Sequence, residues 1–166
     1  EKVNSAVKSA LLCDGSDLSY IDMKSLSEIQ AVSLAEKHLI SPEFAARRDG
    51  TALLLSSDES VSIMLCEEDH IRIQVIKAGL ALEQAYAEAD KIDTILDGKL
   101  KYAFDERIGY LTQCPTNLGT AMRASVMLHL PALTRCGQIA RLAGTVSKLG
   151  LTIRGAYGEG SASTGD

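Results

Sequence analysis

Three short aliphatic segments in the middle of the chain constrain its fold more than any other feature. Residues 51–55, 61–65 and 71–75 are rich in β-branched and long aliphatic side chains, and Ser, Asp and Glu residues separate them. Runs of about 4–8 such residues between polar turns are typical of strands. Short connections join antiparallel neighbours, because parallel strands need a long crossover. The pattern therefore predicts three antiparallel strands.

Helical periodicity surrounds these segments. Apolar residues recur every three or four positions in residues 1–13, 26–38, 79–96 and 133–149, which predicts four amphipathic helices. A capping box is expected at residues 25–28, and Ser41 with Pro42 is expected to end the second helix. Further strands are predicted at residues 18–23, 122–130 and 151–154. Because several predicted strands follow one another in the sequence without an intervening helix, we expect an α+β fold with a largely antiparallel sheet flanked by helices.

The composition excludes several classes of protein. The 166 residues are 46% hydrophobic and 23% charged, as in an ordinary globular domain. Apolar runs are far shorter than the ~20 residues of a membrane-spanning helix, so no membrane partner is expected. Seventeen basic and 22 acidic residues leave a net charge of −5, which argues against nucleic acid as a partner. Without an export signal, the chain is expected to be cytoplasmic.

The four cysteines, at positions 13, 66, 114 and 136, lack the C-x-x-C spacing of a zinc site. No metal site is therefore predicted, and the cysteines are expected to be reduced thiols. Cys114 differs from a cysteine on a helix face, because turn-forming residues surround it and can present it to a site.

Strand parity places three arginines away from the core. Side chains alternate between the two faces of a strand, so Arg72, Arg123 and Arg154 lie opposite the apolar positions of three predicted strands. If the strands share a sheet, these guanidinium groups converge on a concavity suited to phosphate. The alternative is a solvated sheet face with surface ion pairs.

Carboxylates lie close to two of these arginines. Three consecutive acidic residues at 67–69 precede Arg72, and a glycine-rich loop after Arg154 contains Glu159. An acidic run is usually an exposed turn, but beside a phosphate-binding arginine a carboxylate can orient and deprotonate a nucleophile. The glycine-rich loop lacks the pattern of a P-loop.

Three motifs resemble one known family. CPTNLGTAMRAS at residues 114–125 is similar to the signature of the ATP:guanido phosphotransferases, the creatine and arginine kinase family. EEDHIR at residues 67–72 resembles the acidic motif of that family, and RGAYGEG at residues 154–160 resembles its phosphate-binding and specificity loop. The bacterial protein-arginine kinases, which phosphorylate arginine side chains in other proteins and mark them for degradation, are most similar at residues 36–41, 63–74 and 102–112.

The resemblance implies a role for each matching residue. Glu68 and Glu159 match carboxylates that grip and activate the guanidinium, and Glu67 is a further catalytic candidate. Cys114 matches the reactive cysteine, expected as a thiolate beside the guanidinium. The nucleotide-binding candidates lie in the same three motifs and are Arg72, Arg123, Arg154, His70 and Ser125. The implied cofactors are ATP and Mg²⁺, since phosphoryl transfer requires charge neutralisation.

The implied function is that of an ATP-dependent protein-arginine kinase with a guanido kinase catalytic domain of glutamine synthetase-like fold. The implied partners are protein substrates presenting arginine, a protease or chaperone machinery, an activator protein and a second copy in a homodimer. The sequence identifies none of these partners. Two alternatives stay open: a phosphagen kinase acting on free arginine or another small guanidino compound, and a non-catalytic phosphoarginine-binding or regulatory module.

The sequence departs from the family pattern at three positions. Cys66 stands where the acidic motif usually has Asn, Ala121 replaces a glycine of the signature, and Met127 stands where many small-substrate kinases have His. Ala121 conflicts with a backbone that needs a positive φ.

No R-x-R motif precedes residue 51, and the sequence stops shortly after the specificity loop. We therefore expect residues 1–166 to be part of a single catalytic domain that is incomplete at both ends. Residues 1–50 are expected to be a helical lead-in and residues 51–166 the catalytic core segment. A piece of this kind can be inactive by itself.

Overall fold

The computed structural model of the protein describes residues 1–12 and 16–155. The chain divides into a first compact unit, Glu1–Ala124, and a second that begins at Ser125. The helices are α1 (Lys2–Leu11), α2 (Glu28–Glu36), α3 (Pro42–Ala46), α4 (Leu82–Asp97), α5 (Pro131–Arg135) and α6 (Ile139–Ser147). The strands are β1 (Leu18–Asp22), β2 (Ala52–Ser56), β3 (Val61–Leu65), β4 (Ile71–Val75), β5 (Phe104–Asp105) and β6 (Gly109–Tyr110).

The first unit is built around a four-stranded antiparallel sheet with the order β1-β2-β3-β4. Ile63 in β3 lies opposite Leu54 of β2 and Ile73 of β4, so the three central segments pair in sequence order. The prediction of three antiparallel strands is confirmed. Strand β1 adds a fourth strand at the free edge of β2, where Tyr20 lies opposite Leu54.

The sheet buries apolar side chains on both faces, and helices cover each face. One face packs against α1 and α4 through the buried residues Val7, Ala10, Leu11, Ala52, Leu54, Val61, Ile63, Leu65 and Leu96. The other face packs against α2 and α3 through Met23, Ala31, Ala35, Ile40, Phe44, Leu53 and Met64. The expected α+β fold with a flanked antiparallel sheet is therefore confirmed.

Strand β4 shows the expected alternation, with one difference. Ile71, Ile73 and Val75 pack against the first core, so the parity prediction is confirmed. The opposite face of β4 is not simply solvated, because the Gln74 amide donates hydrogen bonds to the carbonyls of His38 (2.8 Å) and Leu39 (3.3 Å). Arg72 lies on this same face, where α2 and α3 pack.

The helix starts differ from the prediction by a few residues. The capping box is formed by Ser27 and Gln30, since Gln30 N donates to Ser27 Oγ (3.3 Å) and Ser27 N donates to Gln30 Oε1 (2.8 Å). The expected box at residues 25–28 is therefore wrong, and Ser25 instead donates to the Asp22 carbonyl. Ser41 caps a further helix, α3, with Pro42 at its first position, where a missing N–H costs nothing.

In the second unit, the predicted helix over residues 133–149 is two helices. The break lies at Gly137, whose φ is +66°. Gln138 N donates to the Leu133 carbonyl and Gly137 N donates to the Thr134 carbonyl, which is the hydrogen-bond pattern of a Schellman ending. Helix α6 ends at Ser147 with Lys148 as its C-cap, two residues before the predicted cap Gly150, whose φ is +78°. The helical periodicity continues across the break, so periodicity alone did not reveal it.

The strands predicted at residues 122–130 and 151–154 are wrong. Within the described residues, these segments form no ladder of backbone hydrogen bonds, and Met122 and Leu128 are 58% and 60% exposed. Alternating apolar residues supply one face of a strand, but a strand also needs a neighbour for its N–H and C=O groups.

No helix in the described part of the chain is long and apolar enough to cross a membrane.

Candidate active site

The acidic turn, residues 66–70, joins the two strands β3 and β4 at one end of the sheet. The last residue pair of the ladder is Leu65 with Ile71, and Cys66 N donates to the His70 carbonyl at 2.9 Å. Cys66 has a φ of +62°, a conformation that Asn adopts more readily than most residues. The Asn that the family motif usually has would therefore suit this backbone better than Cys66.

Glu67 is fixed by three neighbours. The Ser41 hydroxyl donates to Glu67 Oε1 at 2.5 Å, Arg72 Nη1 lies 3.2 Å from the same oxygen, and Arg47 Nη1 donates to the Glu67 carbonyl at 3.0 Å. Burial by itself raises the pKa of Glu67, but the Ser41 hydrogen bond and the Arg72 charge outweigh it and hold the pKa below its ordinary value. Glu67 is therefore an ionised carboxylate whose oxygens already accept hydrogen bonds from Ser41 and Arg72.

Arg72 lies on β4 opposite Met64, and its side chain is 36% exposed. Its ion pair with Glu67 engages Nη1, which reaches both carboxylate oxygens at 3.2 and 3.3 Å. A guanidinium group has five N–H donors in a fixed fork. Arg72 can therefore bind an anionic ligand while Glu67 holds its orientation.

Glu68 and His70 are exposed, unlike the partly buried Glu67 and Arg72. Neither side chain makes a hydrogen bond or an ion pair with the rest of the described chain. Glu68 therefore has a carboxylate available to a ligand, in contrast to the occupied carboxylate of Glu67.

Asp69 connects the acidic turn to the cysteine loop, residues 111–119. Its Oδ1 atom accepts a hydrogen bond from the backbone N–H of Gln113 at 2.7 Å. This contact brings together two motifs that are 44 positions apart in the sequence. Sequence reasoning did not single out Asp69, although it is the third carboxylate of the acidic run and Asp side chains commonly bind backbone N–H groups.

The cysteine loop holds Cys114 at the start of a short 3₁₀ turn, Pro115–Asn117. The Cys114 carbonyl accepts hydrogen bonds from the Thr112 hydroxyl at 2.7 Å and from Asn117 N at 3.0 Å. Its Sγ atom lies 3.0 Å from the Thr116 hydroxyl oxygen, and the residue is partly exposed. Cys114 therefore lies in a loop as expected, and its presentation to a site stays a prediction.

The far end of the cysteine loop rests on a two-stranded hairpin, β5 and β6, within a stretch expected to be irregular. Tyr110 N donates to the Gly119 carbonyl at 2.9 Å, and Gly119 N donates back at 3.4 Å. A Cβ atom on Gly109 would lie 2.5 Å from the Gly119 carbonyl oxygen. Because no side chain fits that space, only glycine allows the hairpin to approach the loop this closely.

Ala121 and Arg123 follow the cysteine loop. Ala121 has a φ of +50°, so the residue that replaces a signature glycine lies in the left-handed region, which L side chains disfavour. Arg123 is exposed. Its approach to Arg72 and to a nucleotide stays a prediction.

Two further predicted site residues, Ser125 and Arg154, lie in the second unit and are exposed. Glu159 lies outside the described residues. The convergence of the three arginines therefore also stays a prediction. Among residues 1–12 and 16–155, no group of three His, Cys, Asp or Glu side chains is arranged to hold a metal ion.

Comparisons with known proteins point to the same family. The family model for the C-terminal catalytic domain of ATP:guanido phosphotransferases matches residues 1–166. A protein-arginine kinase of Caldanaerobacter subterraneus subsp. tengcongensis is 51% identical over 145 residues, which cover 87% of this chain and 43% of that protein. A protein-arginine kinase of Brevibacillus brevis is 52% identical over 149 residues, or 90% of this chain and 42% of that protein. The chain thus spans less than half the length of these curated relatives.

Solved structures show the same architecture. The substrate-free duplicated taurocyamine kinase from Schistosoma mansoni matches 98% of this chain with a TM-score of 0.78 at 26% identity, over 24% of its own length. A crystal structure of lombricine kinase matches 99% of this chain with a TM-score of 0.78 at 24% identity, over 50% of its own length. The second likeness concerns the fold alone.

Proposed function

Because the chain belongs to the ATP:guanido phosphotransferase family, we propose that the protein transfers the γ-phosphoryl group of ATP to the guanidinium of arginine residues in other proteins, marking them for regulated degradation. The observation that carries this proposal is the joining of the acidic turn to the cysteine loop through Asp69 and Gln113. The choice of protein-bound arginine rests on the two protein-arginine kinases, which share about half of their aligned residues with this chain.

The proposed chemistry explains why the site needs a free carboxylate. A guanidinium has a pKa above ~12 and is a poor nucleophile while it is protonated. A carboxylate must hold it in line with the γ-phosphorus and accept its proton as the nitrogen attacks. We assign this role to Glu68, because its carboxylate is exposed, and to Glu159 as the second carboxylate. Cys114 is assigned to contact the same guanidinium from the cysteine loop.

Glu67 and Arg72 have a different role in this proposal. The Glu67 carboxylate is engaged by Ser41 and Arg72, so it orients Arg72 rather than gripping the substrate. Arg72 in turn neutralises the charge of the nucleotide phosphates, which is a main requirement of phosphoryl transfer. Arg123, Arg154, His70 and Ser125 are the other proposed nucleotide-binding residues.

We propose that Mg²⁺ enters the site with ATP. Magnesium commonly binds through substrate phosphates and one or two carboxylates, and it keeps several waters. Within residues 1–12 and 16–155 no three metal-binding side chains lie together, so the phosphates of ATP and water would supply most of the ligands, which fits this mode. When bound, Mg²⁺ supplies charge neutralisation at the β- and γ-phosphates.

The proposed partners follow from the proposed function. They are protein substrates that present arginine, a protease or chaperone machinery that receives the phosphorylated proteins, an activator protein, and a second copy of the chain in a homodimer. The proposed location is the cytoplasm. The net charge of −5 gives no support to nucleic acid as a partner.

A phosphagen kinase acting on free arginine or another small guanidino compound is the second candidate. It is supported by the taurocyamine kinase, which shares the fold but only 26% of aligned residues. Incubating the full-length protein with Mg-ATP and either casein or free arginine separates the two candidates. Acid-labile phosphate on casein supports the proposal, and acid-labile phosphate on free arginine alone contradicts it. A non-catalytic phosphoarginine-binding module would bind phosphoarginine and transfer phosphate to neither compound.

A further inference from the structure

We propose that Asp69 is a positioning residue that holds the cysteine loop in place beside Glu68, a role that rests on the function proposed above. Asp69 Oδ1 accepts the Gln113 N–H at 2.7 Å. Each partner is the immediate neighbour of a residue assigned to the chemistry, because Glu68 precedes Asp69 and Cys114 follows Gln113. One hydrogen bond therefore sets the distance between Glu68, which is proposed to bind the guanidinium, and Cys114.

The chemistry of this hydrogen bond suits a positioning role. Its acceptor is a carboxylate, and hydrogen bonds to charged acceptors are shorter and stronger than neutral ones. Asp has a short side chain, so its oxygen is held close to the backbone of the acidic turn. That turn is itself closed by the Cys66–His70 hydrogen bond and joins the two strands β3 and β4. The loop is thus fastened to a rigid part of the sheet.

The cysteine loop depends on such anchors because its own regular structure is limited to the 3₁₀ turn Pro115–Asn117. Asp69 holds the loop near its beginning, and the reciprocal hydrogen bonds between Tyr110 and Gly119 hold its end. Between these two anchors, hydrogen bonds from Thr112 and Asn117 set the orientation of the Cys114 carbonyl. Removing Asp69 frees the end of the loop from which Cys114 is presented.

Displacement of the loop acts on the chemical step more than on nucleotide binding. A misplacement of ~1 Å can lower a rate about 100-fold when catalysis depends on orientation. Arg72 is oriented by Glu67 and Ser41, and neither belongs to the cysteine loop. Loss of the Asp69 contact therefore lowers kcat while the KM for ATP changes little.

The test compares four variants of the full-length protein: Asp69→Ala, Asp69→Asn, Asp69→Glu and the control Asp90→Ala. Asp69→Asn keeps an acceptor oxygen in place, and Asp69→Glu keeps the charge but moves the oxygen by one methylene. Asp90 is an exposed carboxylate on α4, so its removal leaves the loop intact. Three measurements are made on each variant: arginine phosphorylation, melting temperature, and alkylation of Cys114 by iodoacetamide read by mass spectrometry of its peptide.

We expect Asp69→Ala to lower kcat roughly 10–100-fold with the KM for ATP within about twofold of the wild-type value. Asp69→Asn is expected to restore most of kcat, and Asp69→Glu to lie between the two. The alkylation rate of Cys114 is expected to change about threefold or more in Asp69→Ala, because the loop moves, and to stay at the wild-type value in Asp90→Ala.

Where the Ala variant folds, either of two results overturns the proposal. One is an Asp69→Ala variant whose kcat and Cys114 alkylation rate match those of Asp90→Ala. The other is a loss of kcat that Asp69→Asn does not restore although both variants melt at the wild-type temperature. If the Ala variant does not fold, Asp69→Glu with wild-type kcat and alkylation also contradicts the proposal. A wild-type protein that phosphorylates no arginine overturns the proposed function, and the alkylation rates still decide the role of Asp69.

Discussion

The hydroxyl of Ser41 donates a hydrogen bond to the carboxylate of Glu67 at 2.5 Å while its oxygen also accepts one from Phe44 N at 3.1 Å. One side chain therefore caps helix α3 and fastens the acidic turn to it. Because Glu67 in turn binds Arg72, the start of a five-residue helix contributes to the orientation of a proposed phosphate-binding arginine.

Replacing Ser41 with Ala is expected to lower the free energy of unfolding by more than the loss of a helix cap alone. Loss of a Ser cap costs about 0.5–2 kcal/mol, and here a charged, partly buried acceptor also loses its donor. Ser27→Ala is the matched control, since Ser27 caps α2 without touching Glu67. Urea denaturation of both variants measures the difference. Equal losses would show that the contact with Glu67 adds nothing.

The lowered pKa of Glu67 predicts a pH dependence of stability. A group whose pKa is lower in the folded state stabilises that state above its ordinary pKa, and this contribution is lost as the pH falls through the folded value. The free energy of unfolding of the wild type should therefore exceed that of Glu67→Gln near neutral pH. The difference should shrink as the solution is acidified below the ordinary pKa of 4.5.

Urea denaturation at a series of pH values measures this effect. Glu68→Gln is the control, because Glu68 is exposed and its substitution should change stability little at any pH. A difference between wild type and Glu67→Gln that is constant from neutral to acidic pH contradicts the interpretation of the Ser41–Glu67–Arg72 contacts.

Ala121→Gly is expected to stabilise the first unit. The φ of +50° at Ala121 costs an L residue roughly 1–2 kcal/mol, whereas glycine adopts it freely but loses about 0.5–1 kcal/mol through the entropy of the unfolded chain. A net gain of about 0.5–1 kcal/mol is expected. Ala87→Gly, at an exposed position of α4, should instead destabilise the protein by about 1 kcal/mol. Destabilisation by both substitutions would contradict the strain at Ala121.

Gly109→Ala is expected to displace the hairpin from the cysteine loop. Its Cβ would lie 2.5 Å from the Gly119 carbonyl oxygen, and the φ of +91° adds backbone strain. Gly79→Ala is the matched control, because Gly79 has a φ of +72° and no atom within 4 Å of an added Cβ. Both variants lose ~1 kcal/mol through φ, but only Gly109→Ala should also lose arginine phosphorylation. Equal activity of the two variants contradicts the proposed support of the loop.

The parts of the fold that the sequence predicted correctly are those set by local patterns. Short aliphatic runs between polar turns predicted β2, β3 and β4, and the glycine after the periodic residues indicated that α6 ends before Gly150. Alternation of apolar residues misled at residues 122–130, where no partner strand pairs within the described part of the chain.

The site was predicted in part. Strand parity placed Arg72 away from the core, and the resemblance to the family motifs pointed to Glu68 and Cys114, whose roles stay predictions. The contact between Asp69 and Gln113 spans 44 positions and has no local signal. Likewise, the hydrogen bond from Ser41 to Glu67 depends on how α3 packs against the sheet, which is a property of the tertiary structure. Residue types and motifs therefore suggest candidates for the site, and packing decides which of the neighbouring carboxylates is free.

The decisive measurement is the phosphorylation of casein arginines by Glu68→Gln, read as phosphoarginine by mass spectrometry. Wild type and the exposed control Asp90→Asn are measured beside it. Glu68 is proposed to accept the guanidinium proton, and loss of such a group typically costs about 100-fold or more in rate. Glu68→Gln should therefore lose phosphorylation by that factor while Asp90→Asn keeps the wild-type rate. A Glu68→Gln enzyme that phosphorylates casein at the wild-type rate would show that Glu68 is not the base.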